Sequence, residues 1–180
     1  MQIEKTEIDG LLIITPKVFE DERGHFFESF NKNIFLKNGI DTDFVQDNQS
    51  LSYKNVLRGL HFQNPPYAQA KLVSVIKGAV LDVAVDIRKN SKTFGKHFKL
   101  ILSEKNKTML YIPVGFAHGF LAIEDNTVFS YKCGNFYHQE SENSIFWNDE
   151  TLNIEWGIKK PLVSEKDNSA VSFKSFTSQF

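Results

Sequence analysis

Between Val56 and Cys133 the chain reads as a succession of short strand-like runs with no helical segment between any two of them. The runs are Val56–Gln63, Lys71–Ile76, Ala79–Arg88, Phe94–Ser103, Lys107–Ile112, Phe116–Ile123 and Thr127–Cys133. Lys77-Gly78, Lys105-Asn106 and Asp125-Asn126 punctuate them with turn chemistry. Many short strands at regular spacing imply an all-β sandwich or barrel. Upstream, Leu11–Phe19 and His25–Phe30 also read as strands, joined by the turn residues Asp21 to Gly24. Asn31–Asn38 is the one clear helical signal, with Asn31 as N-cap and Gly39 just past the end. No linker, low-complexity stretch or repeat interrupts the pattern, so residues 1–180 are expected to form a single domain.

Composition narrows the function. Lys and Arg total 21 against 22 Asp and Glu, a net charge of -1. A nucleic-acid binder usually carries a basic excess, so no nucleic-acid partner is expected. Cys133 is the only cysteine, which excludes a disulfide within the chain and a structural cysteine zinc site, and suits a reducing compartment. The first ten residues carry acids and no apolar core, so no signal peptide is expected. Apolar runs such as Leu11–Ile14 fall far short of the ~18 residues of a membrane span. No membrane partner and a cytoplasmic location are therefore expected. Seventeen phenylalanines suit a β core or a pocket wall.

Within Leu81–Arg88 the alternation is clean. Leu81, Val83, Val85 and Ile87 share one face, and Asp82, Ala84, Asp86 and Arg88 share the other. Two readings stand for the acidic face: solvated, or lining a wet cavity inside a barrel.

Three segments concentrate reactive side chains: Gln46–Ser52 running on to Val56–Gln63, Ile112–Phe120, and the tail Val163–Asp167. His25, His97 and His138 read as structural. His61 and His118 lie in strands among glycines and aromatics, where an imidazole base is useful near neutral pH. The spacing resembles the two half-motifs of the cupin family. Pro113-Val114-Gly115-Phe116-Ala117-His118 fits P-x-G-x-x-H, and His61, Gln63, Lys71 and His118 occupy the four usual metal-ligand positions. An ammonium has no lone pair to coordinate with, and two imidazoles alone make a poor site. The set therefore speaks against a metal and for chemistry that needs a base and a cation in one pocket. A metal-dependent cupin oxygenase is the competing reading it disfavours.

The chain resembles the dTDP-4-dehydrorhamnose 3,5-epimerase family from about Gly10 to Asp167. The resemblance rests on Asp21-x-Arg23-Gly24-x-Phe26-x-Glu28, Gln46-x-Asn48-x-Ser50, Val56–Gln63, Lys71-Leu72-Val73, Asp82–Arg88, Ile112–Phe120, Tyr131-Lys132, Ile145–Asp149 and Ser164-x-Lys166-Asp167. It implies a cupin-like double-stranded β-helix, or jelly-roll barrel, with a few short helices. It implies inversion of C3 and C5 of a dTDP-4-keto-6-deoxy sugar through an enolate, with no cofactor and no metal. His61 becomes the base, Asp167 its orienting carboxylate, Tyr131 the acid on the opposite face, and Lys71 the cation at the enolate oxygen. Asp82 is expected to keep Lys71 charged, and His118 and Arg58 to complete the polar wall. Arg23, Glu28, Gln46, Asn48 and Arg58 fall at nucleotide-contact positions, with Tyr137, Glu142 and Lys166 closing the site and Phe26 available to stack on the base. Without the resemblance, Asp167 reads as a solvated tail acid and Tyr131 as a core aromatic. The resemblance also implies a homodimer, with Arg23 and Phe26 serving the partner's site. Relatives that epimerise C3 alone share most of this set, so single-carbon epimerisation stays open beside a non-catalytic sugar-nucleotide-binding module. One departure is Gly134, beside the acid's strand, where Thr or Ser is the commoner residue.

A local conflict remains in the strand Val56–Gln63. Arg58 and His61 are three apart, and a regular strand points them to opposite faces. If both face one cavity, the strand must bulge or kink near Gly59.

Overall fold

The computed structural model describes residues 1–180. Two antiparallel sheets form the body. The six-stranded sheet has the spatial order β1 (Gln2–Lys5), β2 (Leu12–Thr15), β10 (Met109–Ile112), β7 (Lys71–Lys77), β12 (Thr127–Cys133) and β5 (Gln46–Ser52). The five-stranded sheet has the order β13 (Glu142–Ser144), β6 (Leu57–Gln63), β11 (Phe116–Ala122), β8 (Ala79–Asp86) and β9 (His97–Ser103). A hairpin of β3 (Phe19–Asp21) and β4 (Gly24–Phe26) belongs to neither sheet. The architecture is the all-β, cupin-like jelly roll expected. No helix is long and apolar enough to cross a membrane.

Three apolar clusters hold the layers. One lies between the sheets and includes Val73, Val75, Val80, Ala84, Leu110, Phe120 and Phe129. A second covers the outer face of the five-stranded sheet, where Leu57, Leu60, Val83, Val85 and Ile87 meet Ile145, Trp147, Ile154 and Trp156 of the C-terminal segment. The third packs α1 (Lys32–Lys37) onto the six-stranded sheet through Phe35, Leu72 and Tyr111. Asn31 caps α1 through its side chain, and Gly39 beyond it has φ +81°, as its sequence implied. Because the five-stranded sheet is covered on both faces, every residue of β11 is buried.

This layering decides the acidic face of β8. Asp82 and Asp86 are both fully buried, so the solvated reading fails. They do different things. Burial would push the Asp86 carboxyl up, but hydrogen bonds from Arg88, Ser91 and Thr93 outweigh it and hold the group at about 2. Asp86 therefore braces the end of its strand. Asp82 lies behind the cavity wall and bonds His118, which lines it, at 2.9 Å.

Several expected boundaries shift. Of Leu11–Phe19 only Leu12–Thr15 forms a strand before β3 begins at Phe19, and the break starts at Pro16, which lacks the N–H a ladder needs. The run His25–Phe30 pairs only as far as Phe26. Strands β1, β5 and β13 had not been anticipated; β5 reads QDNQSLS and offers almost no apolar residue to mark it. A second helix, α2 (Glu165–Asn168), was also missed, although Ser164 caps it by accepting from the Asp167 N–H.

The conflict in β6 resolves as expected. His61 pairs with His118 and Arg58 pairs with Phe120, so Gly59 and Leu60 together oppose Gly119 alone. That two-against-one count is a bulge, and it turns Arg58 and His61 to the same cavity. The Gly59–Leu60 peptide is cis. Gly59 has φ +132°, and a Cβ there would lie 2.5 Å from the Gly119 Cα. Gly59→Ala should therefore lower stability by about 2–5 kcal/mol, combining backbone strain with overpacking. A urea midpoint equal to that of the unaltered protein would contradict this account of the bulge.

Gly134 has a packing reason. A Cβ there would meet the Thr42 methyl at 2.7 Å, and Thr42 is held by a 2.7 Å hydrogen bond with the Tyr111 hydroxyl.

Candidate active site

His61 emerges from the bulge of β6 with one ring nitrogen already engaged. Its Nε2 lies 2.6 Å from Asp167 Oδ1. The other carboxylate oxygen accepts the Gly59 N–H at 3.3 Å. Asp167 is 3% exposed, because α2 folds back against β6. Burial pushes its carboxyl up, but bonding to His61, Gly59 and Ser164 outweighs that and leaves it below the ordinary carboxylate range. A carboxylate only accepts, so Nε2 carries a proton, and in the neutral ring it is Nδ1 that has the lone pair of a base.

His61, Lys71 and Tyr131 line two adjoining hollows of about 120 and 200 Å³. Lys71 opens β7 and Tyr131 lies on the neighbouring strand β12; the Lys71 Nζ is 5.9 Å from the Tyr131 ring centroid. Burial pushes the Lys71 ammonium below its ordinary value, opposed in part by the charges of Asp82 and Glu142. Burial pushes the Tyr131 phenol up, so it keeps its proton at neutral pH. One cavity thus holds an imidazole, a protonated phenol and a lysine side chain next to one another.

The inner hollow is completed by Ser50, Arg58, His118 and Phe129. Arg58 is fixed by Ser52 Oγ at 3.1 Å and Leu51 O at 3.3 Å. Asp82 favours the charged form of Lys71, as expected, but without touching it. Asp82 makes its direct pair with His118, and its second oxygen has no partner. Its charge reaches Lys71 only through space.

The outer hollow adds Gln46, Asn48, Gln63, Gln69, Tyr137 and Glu142. Tyr137 donates its hydroxyl to Glu142 at 3.0 Å, and Lys166 pairs with the same carboxylate oxygen. Burial would raise the Glu142 carboxyl, yet these two bonds hold it below its ordinary value.

Three expected site residues are not brought to this cavity within one chain. Arg23 and Phe26 lie on the separate hairpin, where Arg23 pairs with Asp21 and Phe26 is 67% exposed. Glu28 accepts from Asn31 beside α1. Ser50, Gln63 and Gln69, together with Phe62, Gly119, Phe120 and Phe129, line the cavity but are absent from the expected set. The period-two series Gln46, Asn48, Ser50 on one face of β5 would have found the first.

A family model described as dTDP-4-dehydrorhamnose 3,5-epimerase matches residues 5–175. The dTDP-4-dehydrorhamnose 3,5-epimerase of Escherichia coli K12 is 54% identical over 169 residues, covering 93% of this chain and 91% of its own. That of Shigella flexneri is 53% identical over 174 residues, 96% of each chain. A crystal structure of a dTDP-6-deoxy-D-glucose-3,5-epimerase from Legionella pneumophila, in complex with dTDP-4-keto-L-rhamnose, superposes with a TM-score of 0.94 at 48% identity, covering 98% of this chain and 94% of that one. Fold and sequence agree along nearly the whole length, and the chain belongs to the dTDP-4-dehydrorhamnose 3,5-epimerase family.

Proposed function

We propose that the protein inverts C3 and C5 of dTDP-4-dehydro-6-deoxy-D-glucose to give dTDP-4-dehydro-L-rhamnose. The observation that carries this reading is the His61–Asp167 pair at 2.6 Å in a cavity shared with Lys71 and Tyr131. The hydrogens on C3 and C5 are both α to the C4 ketone. His61 Nδ1 takes one of them, and the electron pair moves into an enolate whose negative oxygen faces the Lys71 ammonium. Charge placed in advance where charge develops is commonly the largest catalytic contribution. Tyr131 then gives its phenolic proton to the same carbon from the opposite face, and solvent restores both groups. The second carbon follows the same route. Atoms and electrons balance without any redox partner.

Arg58, Gln46, Asn48 and His118 are assigned to the wall that holds the sugar nucleotide, with Tyr137, Glu142 and Lys166 at its rim. Arg suits a diphosphate through paired N–H donors. The protein is assigned as a homodimer in which the β3–β4 hairpin reaches the partner's cavity. The support is the hairpin itself, outside both sheets, with Phe19 and Phe26 at 54% and 67% exposure. Light scattering at micromolar concentration should give twice the chain mass, and a fully active monomer would overturn this assignment.

Incubation with dTDP-4-keto-6-deoxyglucose, followed by proton NMR of the product, tests the function. Inversion at both carbons is expected. Inversion at C3 alone would identify a mono-epimerase, and tight dTDP binding without turnover would identify a binding module.

A further inference from the structure

We propose that Gln63 is a positioning residue that fixes the loop carrying Tyr137 to the strand carrying His61, and thereby sets affinity for the nucleotide. The inference rests on the epimerase reading above. Gln63 follows His61 by two residues on β6 and is 5% exposed. Its amide makes three hydrogen bonds, all to main chain. Nε2 donates to Tyr67 O at 2.6 Å and to Phe136 O at 3.1 Å, and Oε1 accepts the His138 N–H at 2.8 Å.

Two further glutamines continue the pattern. Gln69 Nε2 donates to Asn135 O at 2.8 Å, and Gln46 Oε1 accepts the Tyr137 N–H at 2.9 Å. Residues 135 to 138 are therefore each held at the backbone by a glutamine side chain. Tyr67 stacks on His138 with centroids 3.8 Å apart, which ties the second loop bonded by Gln63 to the first. The segment so fixed has no ladder of its own, yet it presents Phe136 and Tyr137 at 63% and 54% exposure. Exposed aromatics on irregular backbone bind poorly when they must first be ordered, and fixing the backbone in advance removes that cost. Gln63 makes more of these bonds than either other glutamine, and it is the one on the strand of the base.

The chemistry demands an amide. Two carbonyls need donors and one N–H needs an acceptor, and an uncharged amide supplies both. Methionine fills the volume and leaves all three groups unpaired in a buried place. Glutamate accepts from His138 but turns lone pairs toward both carbonyls until it is protonated.

Titration calorimetry with dTDP tests the proposal without requiring turnover. Gln63→Met should weaken dTDP binding by about 10- to 100-fold, the scale of lost preorganisation. Gln63→Met combined with Tyr137→Ala should bind no more weakly than Tyr137→Ala alone, because Gln63 acts through that loop. Gln63→Glu should recover toward the affinity of the unaltered protein at the same pH as the pH is lowered and its carboxyl gains a donor. Unchanged dTDP affinity in folded Gln63→Met, or losses that add in the double variant, would overturn the proposal. If Gln63→Met fails to fold, the pH series on Gln63→Glu decides, and absence of recovery overturns it. Failure of the unaltered protein to bind dTDP would overturn the epimerase reading and this inference together, whereas normal binding with an indifferent Gln63 would overturn the inference alone.

Discussion

His61→Ala should abolish both inversion and exchange of the C3 and C5 hydrogens with solvent deuterium. His118 is the other imidazole of the cavity and is paired with a carboxylate in the same way, Asp82 at 2.9 Å, but its side chain is only 8% exposed against 30% for that of His61. The loss should be about 10⁴-fold, the upper end for removing a positioned base, because every step begins with proton removal. Exchange is the sharper readout, since it reports abstraction whether or not inversion follows. Retention of exchange within about tenfold of the unaltered rate, far from the expected loss of a general base, would move the base elsewhere. The bulge should survive the substitution, because Gly59 and its contact with Gly119 are untouched.

Lys71→Met should lower kcat by about 10²–10³-fold, the cost of removing one preorganised group from a developing oxyanion. Methionine keeps most of the length and removes the charge. A pH profile adds a second signature. Burial holds the Lys71 ammonium below the ordinary lysine value. As pH rises, the free protein should lose activity when that ammonium gives up its proton, and this limb should fall below the pH of an ordinary lysine. Tyr131 is pushed the other way by burial, so it stays protonated over the same range. The basic limb should disappear in Lys71→Met. A limb that persists there belongs to another group, and Lys71 is then only part of the wall.

The parts of this fold that sequence exposes most clearly are those where one physical rule acts alone. Thr127–Cys133 has the expected bounds, and α1 begins and ends within its expected caps. Where two rules compete, the boundary moves. Leu11–Phe19 is apolar enough for a strand, but Pro16 interrupts its hydrogen bonding. Strand β5 carries polar side chains because one face lines the cavity, so hydrophobic patterning passes over it.

The site divides the same way. His61, Arg58 and His118 are legible because reactive residues cluster in short motifs, and the need for a bulge at Gly59 follows from their spacing once the family resemblance places Arg58 and His61 in one cavity. Asp167 is not legible by local rules. Its burial comes from α2 docking against the strand of His61, 106 positions earlier in the chain. Only the family resemblance singled it out. The pairing of Asp82 with His118, and not with Lys71, likewise depends on which strands lie side by side, and β8 pairs with β11. Gly134, a departure in sequence, becomes ordinary once Thr42 is seen against it.

In the proposed mechanism, proton removal and proton return belong to different residues on opposite faces of the sugar. Tyr131→Phe in heavy water tests it most directly. The His61–Asp167 pair remains intact in this variant, so abstraction continues at a reduced rate and His61 returns a deuteron to the original face. Mass spectrometry should show deuterium entering the substrate, while proton NMR shows inversion slowed by about 10²–10⁴-fold, the cost of one positioned acid. Inversion at the unaltered rate, or equal loss of exchange and inversion in a folded variant, would contradict the claim.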